Sequence, residues 1–378
     1  AGLGVNAMNW QTSPSATELE ERVMDWLRRM IGLPEDFRGV IQDTASTATL
    51  CALICARERT TDFTVNQRGL TAWPTHRPLR IYASQEAHSS VEKGVRLAGF
   101  GSENLVKVPV DGRFAMDPAQ LAARIASDRT AGYVPCAVVA TVGTTSSTAV
   151  DPVPDLVRIA RREGLWLHVD AALAGSAAIL PEKRWLLDGC DGVDSLVFNP
   201  HKWLFTNFDC SAFFVRQPAV LTAAMSILPE YLRTDQDRQV TNYRDWGIQL
   251  GRRFRALKLW FVIRNFGVEG LRERLRNHIA WAAEFAGWVD ESPSFERLAP
   301  VPVNTVCFRF NPGQGEAAPL PEEELDRRNK ALMDAVNATG RIYLSHTRLG
   351  GRYCLRLCVG QTQTRREDVR LAWELLQK

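Results

Sequence analysis

The sequence predicts an α/β chain: a mostly parallel sheet covered by helices, with a small α+β domain after it. Between residues 80 and 215 short apolar runs alternate with helical patterns, the rhythm of strand–helix–strand units. After a long helical stretch near residues 257–289 that rhythm changes. The length, 378 residues, suits two domains at roughly 150 residues each. The expected division is a large domain over 1–257 and a small α+β domain over 258–378.

The first helix is expected over 15–32. Ser15 and Glu18 have the spacing of a capping box, Leu19, Val23, Trp26, Leu27 and Met30 share a face, and Pro34 follows. A second, mostly buried helix covers 45–59. Strands follow at 80–84 (RIYAS), 136–141 (CAVVAT), 165–169 (LWLHV), 194–198 (DSLVF) and 211–215 (SAFFV), with helices at 87–98 and 154–163. The second domain reads as strand 303–310, a loop rich in Gly and Pro, helix 322–337, and strands 341–345 (RIYLS) and 352–359 (RYCLRLCV). A terminal helix places Val369, Ala372, Trp373 and Leu376 on one face.

Composition excludes several classes. Apolar residues are 45% and charged residues 24%, as in ordinary soluble proteins. Lys and Arg number 46 against 43 Asp and Glu, a net +3 that leaves no footprint for nucleic acid or an anionic membrane. No apolar run approaches the roughly 18 residues of a bilayer span, and the start, AGLGVNAMNWQTSP, lacks the pattern of a secretory signal. The eight cysteines form no C-x2-C pair and sit mostly in apolar runs. A reducing cytoplasm and no disulfide frame are expected.

Ligands of a largely parallel sheet gather at the carboxyl ends of its strands, and four segments there carry chemistry. In LWLHVDAALAG, Asp170 ends a buried apolar strand, where a carboxylate needs a cationic partner. A protonated heterocyclic nitrogen is one such partner, and the small Ala172 would let a flat ring lie against the backbone. A structural His-x-Asp pair and a metal pair of His168 and Asp170 are the alternatives. In SLVFNPHKWL, Lys202 follows the next strand. A lysine beside a cation or in a dry pocket is a nucleophile at neutral pH; the bland reading is a solvated loop lysine. Asn199 and His201 flank it and suit a phosphate or the lysine itself. Taken with Asp170, Lys202 fits the aldehyde end of pyridoxal 5'-phosphate, whose pyridinium Asp170 would keep protonated.

In VIQDTASTATL, Thr44, Ala45 and Ser46 open a helix whose N–H groups and dipole suit a phosphate, or form an ordinary N-cap. Thr145, in ATVGTTSS, is a further polar candidate near the ring. His88, in SQEAHSSVEKG, is expected in the first turn of a helix that follows a strand. It stacks on a pyridine face in the functional reading and is a satisfied structural histidine in the other.

Together these segments resemble the group II pyridoxal-phosphate-dependent decarboxylases, of the aromatic-L-amino-acid type that includes DOPA/tryptophan, tyrosine and histidine decarboxylases. The stretches that carry the resemblance are WQTSPSATELE, GVIQDTASTATL, AHSSVEKG, ATVGTTSS, WLHVDAALAGSA, FNPHKWLFTNFDCSAFFV, PEYLR, NYRDWGIQLGRRFRALKLW and LRLCVGQTQT. They cover nearly the whole chain, and NPHKW followed by NFDCSA is specific to this branch. The resemblance implies an aspartate-aminotransferase-like (fold type I) architecture, with 1–257 as the cofactor-binding domain. It makes Lys202 the Schiff-base lysine, Asp170 the partner of the ring nitrogen, and Ala172 and His88 the two faces of the ring. Ala45, Ser46, Asn199 and His201 serve the phosphate, with Thr44 and Thr145 close by. Tyr231 matches a mobile-loop tyrosine that donates a proton. Met8, Trp10 and Gly251 belong to the substrate pocket, where Gly251 leaves room for indole or catechol.

The resemblance further implies a cytoplasmic homodimer with its active site at the subunit interface. It implies as well a helical segment before WQTSP that wraps the partner, and the sequence starts after it. The expected reaction is decarboxylation of an aromatic L-amino acid, tryptophan or DOPA ahead of tyrosine or phenylalanine, to the arylalkylamine and CO2. The rivals are an aromatic acetaldehyde synthase on the same fold, a transaminase, a catalytically inactive dimeric paralogue and a metal hydrolase. No metal is expected.

Overall fold

The computed structural model describes residues 3–227, 239–313 and 320–378. The described chain divides into two units, Ala1–Asp111, Ala115–Val142 and Asp151–Leu271 in the first, and Gly112–Phe114, Gly143–Val150 and Arg272–Lys378 in the second. The division falls inside one helix, Arg255–Glu291, at whose residue 267 a glycine adopts φ 65° and interrupts the helical backbone.

The first unit is built on seven strands: β1 (Arg38–Gln42), β2 (Leu79–Ser84), β3 (Leu105–Val108), β4 (Val134–Thr141), β5 (Trp166–Asp170), β6 (Ser195–Phe198) and β7 (Ser211–Val215). Their order in the sheet is β1-β7-β6-β5-β4-β2-β3. The pairs β3–β2, β2–β4, β4–β5 and β5–β6 are parallel; β7 is antiparallel to both β6 and β1. Because β7 reverses twice over, β1 runs in the same direction as β6. Six strands therefore end at one edge, and β7 starts there.

Helix α1 (Pro14–Ile31) buries Val23, Met24, Leu27 and Met30, spaced at the helical period, and stops at Gly32 in the left-handed conformation (φ 77°). Its start differs from the expected capping box. Ser13 is the N-cap, but its hydroxyl donates to the Asn6 carbonyl at 2.8 Å rather than capping the helix, and Pro14 opens the helix, where its fixed φ fits and its missing N–H costs nothing. Glu18 instead accepts from Trp10 Nε1 at 3.3 Å. Helix α2 (Ala45–Thr60) packs Ala48, Ala52, Leu53, Cys55 and Ala56 into the main core beside Val40, Ile81, Val139, Trp166 and Phe213 from five strands.

The second unit has an antiparallel sheet of β8 (Phe295–Arg297), β9 (Thr305–Phe310), β10 (Ser345–Leu349) and β11 (Arg352–Cys358), in the order β10-β11-β9-β8. Helices Glu322–Ala338 and Arg366–Leu376 contribute Met333, Val336, Val369, Ala372 and Leu376 to its core. The strand expected at 341–345 is displaced to Ser345–Leu349. Asn337 takes up the backbone of Leu344 instead: Leu344 N–H donates to its Oδ1 at 2.7 Å, and its Nδ2 donates to the Leu344 carbonyl at 2.9 Å. Of the eight cysteines, Cys358 is exposed and the others are buried, all as free thiols. No described helix is long and apolar enough to cross a membrane.

Candidate active site

The edge where six strands end collects the turn at 43–46, the turn at 85–88, the end of β5 and the end of β6. Side chains alternate along β5, so Trp166, His168 and Asp170 share a face. Trp166 Nε1 donates to Ser195 Oγ at 2.9 Å. His168 pairs through Nδ1 with Ser195 Oγ at 2.9 Å and through Nε2 with Thr49 Oγ1 at 3.3 Å. Burial pushes its pKa down to about 3. Both ring nitrogens are thus occupied, and His168 is a neutral core histidine rather than a metal ligand.

Asp170 is 5% exposed. Burial raises its carboxyl above the usual range, against the pull of the Lys202 ammonium, the Ala172 N–H and the His88 ring. The only hydrogen bond to this carboxylate among the described residues comes from Ala172 N–H, at 3.0 Å to Oδ1. Such a group calls for a further cation, and a protonated ring nitrogen supplies one. The pairing of β5 with β6 sets Asp170 opposite Val197. The chain then continues from Phe198 into Asn199, whose N–H donates to the Ala172 carbonyl at 3.0 Å, and a single turn, Pro200–Trp203, carries Lys202. Lys202 is exposed. Gly175, on the chain that follows Asp170, lets that segment pack close against the end of β6: a Cβ there would lie 2.5 Å from Phe198 Cβ.

His201 is oriented from the start of β7. Cys210 N–H donates to its Nδ1 at 2.8 Å, so the proton of the neutral ring sits on Nε2. Burial and the neighbouring Lys202 lower its pKa to about 4, which keeps the ring neutral. Asn199 Oδ1 is buried without a hydrogen-bond partner; turned over, the amide presents two N–H donors in its place. Beside them, Thr44 caps α2, its Oγ1 accepting from Thr47 N–H at 3.4 Å, with Ala45 and Ser46 in the first turn. Ser211 Oγ donates to the Asp43 carbonyl at 3.3 Å and ties this turn to β7. The donors of Asn199, His201 and the α2 terminus suit a phosphate. His88 is the N-cap of helix Ser89–Leu97 rather than a residue of its first turn. Its Nδ1 accepts from Ser90 N–H at 3.2 Å, which fixes the ring plane.

Thr145 is exposed on the Gly143–Val150 loop of the second unit, its carbonyl accepting from Arg356 Nη2 at 2.6 Å. Tyr231 lies outside the described residues. Met8 and Trp10 are half-buried; Arg244 N–H donates to the Met8 carbonyl at 2.7 Å, and Trp10 N–H to Asn242 Oδ1 at 3.0 Å. Near Gly251, the atom closest to the place of an added Cβ is Asn6 Nδ2 at 3.8 Å, so a small side chain there enters open space without a clash. Two ion pairs escaped the sequence reading. Arg255 grips Asp209 through Nε and Nη2, each at 3.0 Å, and Arg252 grips Glu20. For Glu20 a signal existed: it shares the helical period of Ala16, Val23 and Leu27, the buried face of α1.

A buried acid facing a lysine amine across the ends of neighbouring parallel strands, beside donors suited to phosphate, defines a fold type I pyridoxal 5'-phosphate enzyme. The chain belongs to the pyridoxal-dependent decarboxylase family, whose conserved domain matches residues 2–311, and so to the carboxy-lyases. It is similar to phenylacetaldehyde synthase of Arabidopsis thaliana, at 42% identity over 100% of this chain and 77% of that one. Tryptophan decarboxylase TDC1 of Camptotheca acuminata is also 42% identical, over 98% of this chain and 74% of its own. The crystal structure of Oryza sativa TDC with PLP and tryptamine aligns with a TM-score of 0.93 at 41% identity, covering 98% of this chain and 77% of that one. Its relatives thus include both aromatic amino acid decarboxylases and aldehyde synthases.

Proposed function

We propose that the protein removes the carboxylate of an aromatic L-amino acid, releasing the arylalkylamine and CO2, with tryptophan or DOPA favoured over tyrosine and phenylalanine. The reading rests on the cluster of Asp170, Lys202 and His88 at the ends of β5, β6 and β2. Bound there, pyridoxal phosphate supplies an electron sink for the bond between Cα and the carboxylate. Lys202 would hold the cofactor through its amine, Asp170 would keep the ring nitrogen protonated, and Ala172 and His88 would pack against the ring. Asn199, His201 Nε2–H and the first turn of α2 hold the phosphate, with Thr44 in its neighbourhood. Tyr231 returns a proton to Cα, a role typically worth ~10²–10⁴-fold. Met8, Trp10 and Gly251 shape the side-chain pocket, in a homodimer whose sites lie at the subunit interface.

Tyrosine at position 231 favours amine over aldehyde. The test is a panel of aromatic amino acids with amine, CO2 and peroxide measured together. Wild-type protein is expected to give amine and CO2 in equal amounts. Tyr231→Phe is expected to divert product to aldehyde, ammonia and peroxide. An unchanged amine yield without peroxide removes Tyr231 from the mechanism, and peroxide from the wild type makes the protein an aldehyde synthase.

A further inference from the structure

A buried ion pair stands behind the peptide that carries Met8 and Trp10. Glu20, on the inward face of α1, is 1% exposed. The Arg252 fork holds both its oxygens, Nη1 to Oε2 at 3.1 Å and Nη2 to Oε1 at 2.6 Å. The same guanidinium donates to the carbonyls of Ala7 at 3.1 Å and Ile41 at 2.9 Å, and lies 4.8 Å from the centroid of the Tyr243 ring. Glu20 Oε1 also accepts from Ile41 N–H at 2.8 Å. The backbone of Arg252 continues the contact: Ala7 N–H donates to its carbonyl, and its own N–H donates to Asn6 Oδ1, both at 2.9 Å. On either side of Tyr243, Asn242 and Arg244 hold Trp10 and Met8. One planar cation thereby fixes the N-terminal peptide, β1 and the 242–252 segment against each other. Desolvation offsets most of what such a pair adds to stability, so its main physical consequence is register.

We propose that Glu20 and Arg252 are positioning residues for substrate selection: they hold Asn6 and Met8 at a set distance from Gly251, and that distance decides which aromatic side chain is accepted. The inference rests on the assignment of Met8, Trp10 and Gly251 to the substrate pocket. Arg252→Lys keeps the charge and removes the fork. Asn6→Ala trims an exposed side chain and leaves the ion pair intact, so folding is not at stake. Two quantities are read: hydrogen exchange at the Ala7 and Trp10 amides, and kcat/KM of the holoenzyme for tryptophan, tyrosine and phenylalanine. In Arg252→Lys, exchange at both amides is expected to quicken by about tenfold. In both variants the tryptophan-to-tyrosine ratio of kcat/KM is expected to change by about tenfold, through KM rather than kcat. Equal losses on all three substrates, or unchanged exchange, overturn the proposal. If Arg252→Lys does not fold, the ratio in Asn6→Ala decides alone. A wild-type enzyme inert on every aromatic amino acid sinks the function reading, and the selection role with it, while exchange still reports whether the pair holds the peptide.

Discussion

Asp170 stands where water can do least for a carboxylate, and the chain answers with one N–H and two nearby bases instead of a salt bridge. Its place was legible because a charged residue at the end of LWLHV contradicts the run before it. Lys202, Asn199 and His201 were legible for the same reason, as polar residues at the end of SLVF. The proton position on His201 was not, since it depends on Cys210 N–H arriving from β7. Nor was the Glu20–Arg252 pair as a pair, its members standing 232 positions apart in the chain. Gly251 shows what coordinates add to a resemblance. An added Cβ has only Asn6 Nδ2 near it, at 3.8 Å, so bulk there enters open space and not the packed protein. Gly251→Ser is therefore expected to leave the melting temperature unchanged and to lower kcat/KM for tryptophan by about tenfold more than for tyrosine. Equal losses on the two substrates would take Gly251 out of substrate choice.

Among the elements, a simple physical division separates what was read from what was missed. The strands found from apolar runs are β2, β4, β5, β6, β7, β9 and β11, and every one is interior to its sheet. Those unread or displaced, β1, β3, β8 and β10, are the four edges. The interior strands of the seven-stranded sheet are buried almost throughout and are therefore apolar runs, whereas an edge strand such as SHTRL borrows its order from its neighbour and carries polar residues. RIYLS misled because Ile342 and Leu344 serve the core without strand pairing, Leu344 held by the side chain of Asn337, while Tyr343 is exposed. Asn337→Ala leaves the backbone N–H and carbonyl of Leu344 without these partners. It is expected to lower the unfolding free energy by about 2 kcal/mol in urea titration. A change below the measurement error would mean that water replaces the amide at no loss.

For the molecule as a whole, stability should carry the mark of its buried histidines. His168 is neutral in the fold, with a pKa of about 3 against an ordinary 6.5. The unfolded chain thus binds a proton that the folded chain refuses. Its contribution is complete above about pH 6.5 and is lost as the pH falls through that value towards 3. His201 and His278, both lowered to about 4, act in the same sense. Unfolding free energy is expected to fall on acidification below pH 6.5, and His168→Gln to reduce that slope by about 1.4 kcal/mol per pH unit. An identical slope in the variant would show that His168 titrates alike in both states.

The direction of the strands has one more consequence. Each reactive group rides on its own connection: the turn after β1, the cap after β2, the end of β5, the single turn after β6. Substitutions on connections that share no partner should combine additively, while Asp170 departs from a simple sum with Lys202 and with His88, whose charges act on it. A frame with such separable parts offers one scaffold for amine-forming and aldehyde-forming chemistry alike, altered one connection at a time.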